Sequence, residues 1–151
     1  AIDEGYTVLW AADVSEKGFK WYEGVALLPK VDRNKERTGT ELARWVKLRS
    51  SEKEDELYDF KGPVEEVEAT QDIRQKGFDN YETTDDHGMV IIGKAVDQKG
   101  NKYFKVKNSW DTDQVYNGYF YVSETYFKLK TMGIMINKKA IPTSITKKLG
   151  F

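Results

Sequence analysis

Two strand-like runs joined by a tight turn constrain the fold of this chain more than any other feature. The runs at 88–96 and 102–108 are rich in valine, isoleucine, tyrosine and phenylalanine, which favour β-strands. Between them, residues 97–101 read Asp-Gln-Lys-Gly-Asn, the chemistry that closes a β-hairpin. Folding the runs antiparallel about Lys99 predicts that residue 87 lies opposite roughly residue 110.

This hairpin brings three chemically useful side chains to one edge of the predicted sheet. His87, the only histidine of the chain, opens the first run, and Asn108 and Trp110 close the second. An asparagine within reach of an imidazole can orient it beside a cysteine nucleophile. The chain contains no cysteine, so the nucleophile of such a site has to come from elsewhere.

Composition excludes several classes of function. The chain has 151 residues, the length of one domain, and its 13% aromatic content excludes a disordered polar protein. The absence of cysteine excludes disulfides, thiolate metal sites and a thiol nucleophile within the chain. A net charge of −1 gives no sign of nucleic-acid or anionic-membrane binding. No apolar run approaches the ~18 residues of a membrane span.

The charge is unevenly distributed along the chain. Residues 87–151 carry 11 basic and 4 acidic residues, whereas residues 1–86 carry 13 basic and 21 acidic ones. The lysines of the second part stand singly along predicted strands, which favours a solvated sheet face over a polyanion-binding site. The acidic run at 52–56 is interpreted as a solvated helix face rather than a cation site.

The whole sequence predicts an antiparallel sheet with helices inserted and at the end, which is the α+β class. Strands are predicted at 7–12, 21–28, 88–96, 102–108, 117–123 and 132–137. Helices are predicted around 42–48, at 51–60, 70–81 and from 140 to about 149, with a short helical turn at 123–127. Capping is predicted for Thr38 or Thr40 and for Ser123, and Pro142 is expected near the first turn of the last helix.

The charged block at about 31–80 is predicted to be a helical insertion between strands. Residues 30–86 hold 27 charged residues, and Leu42, Trp45 and Val46 recur among them at helical spacing. In the third helix, the predicted buried face consists of three apolar residues, Ile73, Phe78 and Tyr81.

The hairpin residues resemble the papain superfamily of cysteine peptidases, and more narrowly its bleomycin hydrolase and bacterial aminopeptidase C branch. The resemblance rests on His87 at the start of a buried strand, on Asn108-Ser109-Trp110 at the end of the next, and on Gly-Tyr-Phe-Tyr at 118–121. Residues 16–25 are similar to the family's strand–loop–strand segment before the histidine. The resemblance covers most of the chain. Residues 31–80 are the part that matches papain itself least well.

The resemblance implies a role for each residue at the hairpin edge. His87 would be the general base and the imidazolium partner of a thiolate, and Asn108 would fix the orientation of the imidazole. Trp110 would cover the bond between them from water and so strengthen it. Gly88 would lie near the substrate side-chain pocket. The nucleophilic cysteine and the oxyanion-hole glutamine of the family belong to an N-terminal half that this sequence does not contain.

Two positions depart from the family pattern. Asp111 stands where the family has a glycine after Asn-Ser-Trp, and aspartate tolerates a positive φ better than most residues. Gly88 replaces a more common alanine, which would slightly widen the pocket. In this branch the C-terminus lies in the active-site cleft of a hexamer. Residues 145–151 are therefore expected at the cleft, with the terminal carboxylate near the α-ammonium group of a substrate.

The prediction is an α+β, half-barrel sheet domain of the papain-like fold over residues 1–151. Its predicted function is to supply the His–Asn part of a Cys-His-Asn site to a cysteine aminopeptidase that hydrolyses N-terminal peptide bonds. Expected partners are a peptide substrate, the N-terminal half and further copies of the protein, with no cofactor, nucleic acid or membrane. The chain begins in what reads as the middle of an element, which suggests a piece of a longer protein. The resemblance implies a cytoplasmic location and leaves export open.

Two other interpretations stay open. A cysteine-less homologue that binds peptides or supports assembly would carry serine or glycine at the nucleophile position upstream. A purely structural domain, in which His87 and Asn108 only stabilise the hairpin, predicts that His87→Ala damages folding more than activity. A metal site at Asp85, Asp86 and His87 is disfavoured, because the chain has a single histidine and no cysteine.

Overall fold

The computed structural model describes residues 1–150. Within this range one sheet contains the strands β1 (Val8–Ala12), β2 (Phe19–Lys20), β3 (Val25–Ala26), β4 (His87–Val96), β5 (Lys102–Lys107), β6 (Tyr119–Ser123) and β7 (Thr131–Ile136). The α-helices of the same range are α1 (Gly39–Trp45), α2 (Ser50–Leu57), α3 (Gln71–Asp79), α4 (Glu124–Lys130) and α5 (Thr143–Leu149). The α+β class predicted from the sequence is confirmed.

The predicted hairpin of β4 and β5 lies near the centre of the sheet, whose order is β2-β3-β6-β5-β4-β1-β7. Val90 pairs with Lys107, and extending this register to the strand ends places His87 opposite Trp110, as predicted. The Asp97 carboxylate closes the turn by accepting two backbone N–H bonds, at 2.8 and 2.9 Å. The turn sets the register at its own end of the hairpin, where Val96 pairs with Lys102, and a bulge between Ile91 and Gly93 shifts the pairing by one residue before His87.

The strand predicted at 21–28 is wrong for most of its length. Only Val25–Ala26 is extended, and it pairs in parallel with β6, whereas the other strand pairs within residues 1–150 are antiparallel. Residues 21–24 form a turn instead. Gly24 has φ +72°, and a Cβ there would lie 2.3 Å from the Tyr116 ring, so both the backbone and the contact require glycine.

Alternate residues of the central strands and one face of α4 form the core. Its large, fully buried side chains are Trp10, Met89, Ile91, Val106, Phe120, Val122 and Tyr126. Removing each from water contributes about 1.5–3 kcal/mol. The Ser123 hydroxyl accepts a hydrogen bond from the Tyr126 N–H at 3.0 Å, so the predicted cap of α4 is confirmed. This core holds the hairpin that carries His87.

The charged insertion forms three short helices at the surface. None of the residues of α1, α2 or α3 is buried, and the Arg37 guanidinium covers the Trp45 ring at 3.5 Å. The predicted buried face of α3 is wrong, because Ile73, Phe78 and Tyr81 are 45, 54 and 84% exposed. Helical spacing places apolar residues on one face but does not supply an element to cover it, and residues 1–150 provide none.

The helix boundaries follow their capping chemistry only in part. The Thr70 hydroxyl accepts a hydrogen bond from the Ile73 N–H at 3.2 Å and starts α3. Thr38 precedes α1 but its side chain makes no capping bond, so that predicted cap is wrong. Pro142 occupies the N-cap of α5, just before its first turn. Across residues 1–150, no helix combines the length and apolar character needed to cross a membrane.

Candidate active site

The hairpin brings His87 and Asn108 into direct contact. His87 is the first residue of β4, and Asn108 directly follows β5. The imidazole Nε2 and the Asn108 Oδ1 lie 2.7 Å apart, within hydrogen-bond distance. Asn108 is only 6% exposed, and its backbone N–H donates to the Gly118 carbonyl at 3.1 Å. The asparagine is thus a fixed partner, while the half-buried imidazole stays partly open to solvent.

A backbone donor fixes the direction of this hydrogen bond. The Ser109 N–H lies 2.8 Å from the same Asn108 Oδ1. Because a backbone N–H can only donate, the amide atom that faces it must be the oxygen. The His87 Nε2 therefore has to donate to that oxygen, which places a proton on Nε2 in every protonation state that keeps this bond. The imidazole Nδ1 is left to accept and release a proton.

Trp110 lies against the imidazole. The ring centroids of His87 and Trp110 are 4.9 Å apart, and the ring planes are inclined by 30°. Trp21 and Phe19 contact the indole edge-on, with centroid distances of 5.3 and 5.8 Å. The contacts with Trp21 and Phe19 hold the indole in place, although 41% of Trp110 is exposed. The indole therefore shields one side of the imidazole from water. Its contribution to catalysis stays a prediction.

The Asn108 side chain meets only half of its hydrogen-bonding capacity within residues 1–150. Its Oδ1 accepts two bonds, whereas its buried Nδ2 has no acceptor in this range. Leaving a buried donor unpaired costs about 1–3 kcal/mol. An unpaired buried donor in a folded protein calls for an explanation, and an orienting role of Asn108 toward His87 is one that fits this geometry.

Asp111 is compatible with the loop that follows Trp110. Its φ is not positive, since the non-glycine residues with positive φ between 1 and 150 are Tyr81 and Asn117. The left-handed conformation occurs at Asn117 and Gly118, where φ is 53° and 87°. The family glycine at position 111 is therefore not required for the backbone conformation here.

Gly88 presents an open surface next to the histidine. It pairs with Ala11 across β1 and β4, and a Cβ built on it would have no atom within 4 Å. The missing side chain leaves space beside His87, as expected for a shallow side-chain pocket. The role of Gly88 in substrate binding stays a prediction.

Gln114 stabilises the loop that follows Trp110, and no sequence pattern predicted this role. Its Nε2 donates to the Tyr119 carbonyl at 2.6 Å, and its Oε1 accepts the Tyr116 N–H. These two bonds fix the loop between Trp110 and β6. This loop begins at Trp110, so it helps to hold the indole in position. A single polar residue in an irregular loop carries no periodicity, which is why sequence reasoning missed it.

Hydrogen bonds to an acidic side chain hold the segment before His87. Asp86 accepts a bond from the Thr84 hydroxyl at 2.6 Å and from the Val14 N–H at 3.3 Å. The Thr84 bond, more than any other interaction, holds the pKa of the Asp86 carboxyl below its ordinary value. Residues 1–150 contain no group of three potential metal ligands close enough to hold an ion.

The arrangement can move a proton but cannot attack a carbonyl. Nδ1 of His87 has the chemistry of a general base and acid, and Asn108 keeps the ring oriented. The neighbouring Ser109 is exposed, and no second base is available to activate it, since the chain has one histidine. The site therefore lacks a nucleophile within this chain.

Comparison with known proteins agrees with this geometry. The sequence profile of the Peptidase C1-like family matches residues 38–150. Aminopeptidase C of Lactobacillus helveticus is 37% identical over 70 residues, which are 46% of this chain and 15% of that protein. Aminopeptidase C of Lactococcus lactis subsp. cremoris is 35% identical over 82 residues, covering 54% of this chain and 18% of that protein. The chain thus spans less than a fifth of these relatives.

A solved structure shows the same fold. The crystal structure of PepW from Lactobacillus rhamnosis HN001 (DR20) superposes with a TM-score of 0.57 at 20% identity. The superposition covers 98% of this chain and 26% of that one. Because the family profile matches well over half of its length, this chain belongs to the Peptidase C1-like family, as an aminopeptidase C-type region of the papain superfamily.

Proposed function

We propose that this chain supplies the histidine and the asparagine of a Cys-His-Asn site in a cysteine aminopeptidase. The observation that carries the proposal is the 2.7 Å bond from His87 Nε2 to Asn108 Oδ1, whose direction the Ser109 N–H fixes. The names of the related aminopeptidases C and W support the reaction class. The chain by itself is expected to be inactive, because it contains no cysteine.

The first half of the proposed reaction acylates the enzyme. Nδ1 of His87 accepts the proton of a cysteine thiol from the N-terminal half, and the thiolate sulfur attacks the carbonyl carbon of the first peptide bond. When the tetrahedral intermediate collapses, the C–N bond breaks and Nδ1 gives its proton to the leaving amine. The Nε2–H bond to Asn108 persists throughout, so the ring does not turn away.

The second half releases the N-terminal amino acid. Nδ1 of His87 accepts a proton from water while the water oxygen attacks the thioester carbon. The C–S bond then breaks and the sulfur departs as thiolate beside the imidazolium. The amino acid leaves with a new carboxyl group, which releases its proton to solvent. The chemistry needs no oxidant, reductant or metal, and the thiolate–imidazolium pair starts the next cycle.

The remaining machinery is proposed to come from the N-terminal half and from other copies of the protein. That half would supply the cysteine and the oxyanion-hole glutamine, and the peptide would place its first side chain beside Gly88. The expected contact of the terminal carboxylate with the substrate's α-ammonium group involves Phe151, which lies outside the described residues. This contact and a hexameric assembly are proposed from family resemblance alone.

An activity assay on the full-length protein tests the proposal. Release of a fluorescent amine would be measured from aminoacyl substrates and from N-acetylated versions of them, with and without a thiol alkylator. His87→Ala would be compared with wild type, after circular dichroism has shown that it is folded. We expect hydrolysis of the free-amine substrates only, abolished by alkylation and by His87→Ala. No hydrolysis by folded, reduced, full-length protein would overturn the proposal and favour a non-catalytic peptide-binding module.

A further inference from the structure

A buried lysine lies at the end of α4, close to the segment that leads into His87. Lys130 is 7% exposed. Its Nζ donates to the Glu82 carbonyl at 2.9 Å and to the Thr83 hydroxyl at 3.1 Å. It also lies 3.7 Å from the Asp13 carboxylate and forms an ion pair with Glu16. One ammonium group therefore connects α4, the segment after β1 and the segment before β4.

The carboxylate that faces this lysine is completely buried. Asp13 is 0% exposed, and its Oδ1 accepts bonds from the N–H and the hydroxyl of Ser15 at 2.8 and 2.7 Å. Its Oδ2 accepts the Thr84 N–H at 3.3 Å. The backbone of Asp13 is fixed as well, because its N–H donates to the Lys130 carbonyl at 3.0 Å and its carbonyl accepts the Tyr126 hydroxyl at 2.9 Å.

These contacts hold nearly every residue of the 82–86 segment. Lys130 binds residues 82 and 83, and Asp13 binds Thr84. The Asp86 N–H makes a further hydrogen bond, to the Ala12 carbonyl at 3.3 Å. Ala12 pairs with His87 in the sheet. Hydrogen bonds therefore hold residues 82, 83, 84 and 86, and the last of them is made to Ala12, the sheet partner of His87.

Arg74 in turn anchors the end of α4. Its guanidinium donates to the Lys128 carbonyl at 2.9 Å and to the Thr131 carbonyl at 2.7 Å, on either side of Lys130. The Lys128 carbonyl is one of the last four of the helix, which lack intrahelical partners, and Thr131 is the C-cap residue that follows it. The charged insertion, through α3, therefore supports the helix end that carries the buried ammonium.

Stability alone does not account for such a pair. Burying two charges costs desolvation energy that their attraction often does not recover, and apolar replacements are frequently as stable. In some proteins a buried polar or ionic group is retained because it specifies one geometry. The segment fixed here ends at the imidazole whose position decides proton transfer.

We propose that the buried Asp13–Lys130 pair is a positioning device that fixes the 82–86 segment and, through it, the imidazole of His87. The consequence for catalysis rests on the proposed function, in which His87 is the general base. Lys130 and Asp13 touch no reacting atom, so they act only through the placement of the ring. A displacement of about 1 Å in such a group is enough to cost about 100-fold in rate.

The test compares three variants of the full-length protein. Lys130→Met removes the ammonium, and Thr83→Val removes one of its acceptors with little change in shape. The matched control is Lys128→Met on the same helix, because Lys128 forms only an exposed ion pair with Glu124, at 3.0 Å. The measurements are kcat and KM for an aminoacyl substrate and the pH profile of thiol alkylation, each corrected for the folded fraction.

The proposal predicts a loss in kcat rather than in KM. Lys130→Met should lower kcat about 10- to 100-fold with KM nearly unchanged, and should move thiol alkylation toward the pH range of a free thiol. Thr83→Val should lower kcat about threefold or more, while Lys128→Met should match wild type. Wild-type kcat and an unchanged alkylation profile in folded Lys130→Met would overturn the proposal. If Lys130→Met does not fold, wild-type kcat in Thr83→Val overturns it instead.

A second readout does not depend on activity. In full-length protein labelled with ¹⁵N-histidine, the Nε2–H proton of His87 would be assigned by its loss in His87→Gln. We expect Thr83→Val to shift or broaden this signal and Lys128→Met to leave it unchanged. An unaltered signal in Thr83→Val would overturn the positioning role. If the wild type lacks thiol-dependent hydrolysis, the proposed function fails, but this spectrum still decides whether the pair positions the ring.

Discussion

Nε2 of His87 lies 2.7 Å from Oδ1 of Asn108, although 21 residues separate the two in sequence. The hairpin register accounts for the approach, and the Ser109 N–H accounts for its direction, because it donates to the same oxygen at 2.8 Å. The backbone thus selects the imidazole tautomer. A proton can therefore enter and leave at Nδ1 without a change in ring orientation.

Substitutions at Asn108 separate orientation from charge. Asn108→Ala removes the acceptor and should lower kcat/KM of the full-length enzyme about 10- to 100-fold through loss of orientation. Asn108→Asp keeps both accepted bonds and adds a negative charge, which favours the imidazolium form of the ring by Coulomb attraction. We therefore expect Asn108→Asp to retain more activity than Asn108→Ala and to move the basic limb of the pH–rate profile upward. Equal activity in the two variants, with identical profiles, would contradict an orienting role.

Substitutions at Trp110 test the cover over the imidazole. Trp110→Ala exposes the His87–Asn108 bond to water and removes the edge-on contact with Trp21. We expect a loss of about 2 kcal/mol in the free energy of unfolding and a lower kcat, whereas Trp110→Phe keeps an aromatic cover and should lose less of both. Denaturant unfolding and steady-state kinetics measure the two effects. An unchanged kcat in folded Trp110→Ala would show that the cover has no catalytic role.

Glu66 makes stability depend on pH. It accepts bonds from the Leu28 N–H at 2.7 Å and from the Ser123 hydroxyl at 2.6 Å, both at Oε1. Burial raises the pKa of this carboxyl above its ordinary 4.5, and the two bonds oppose the shift. The folded state therefore holds the proton more tightly than the unfolded state, so the contribution of Glu66 is fully present below pH 4.5 and is lost as the pH rises through the folded-state pKa.

Glu66→Gln should remove this pH dependence, since a glutamine oxygen can accept the same two bonds without a charge. We expect the variant to gain stability relative to wild type as the pH rises from about 4 to 7. Glu66→Ala, which loses both bonds, should lose about 1–3 kcal/mol near pH 4. Urea unfolding between these pH values provides the measurement. A stability difference between Glu66→Gln and wild type that does not change with pH would contradict the buried-carboxyl interpretation.

Two glycines should respond oppositely to the same substitution. Gly24→Ala places a Cβ 2.3 Å from the Tyr116 ring at φ +72°, and we expect it to lose about 2–4 kcal/mol of stability. Gly88→Ala meets no atom within 4 Å and should gain about 0.5 kcal/mol by stiffening the strand. Thermal unfolding of the two variants side by side measures both. Comparable destabilisation of the two would show that the space beside His87 is not open.

The hairpin edge could be predicted from the sequence because its geometry is local. The turn at 97–101 brings the two strand ends to one edge of the sheet, and counting from it places His87 within one residue of Trp110. The bulge between Ile91 and Gly93 sets the final register. The Ser123 cap and the α+β class follow from equally local rules. The buried face predicted for α3 failed because periodicity shows which residues share a face but not what covers it.

The supports of the site could not be predicted because their contacts are distant in sequence. Lys130 and Thr83 are 47 residues apart, and Asp13 and Thr84 are 71 apart. Neither lysine nor aspartate carries a pattern that indicates burial, since both residue types are usually exposed. Only the tertiary arrangement of α4 against β1 shows that these charges enclose the segment before His87.

The pH dependence of thiol alkylation in the full-length protein tests the central claim most directly, because it reports the thiolate that His87 is proposed to stabilise. We predict that iodoacetamide reacts with the wild-type thiol down to about pH 4–5, whereas folded His87→Ala reacts only as the pH approaches the ~8.5 of a free cysteine. The difference would place His87 beside the nucleophile as its imidazolium partner. An identical profile in wild type and His87→Ala would contradict that claim.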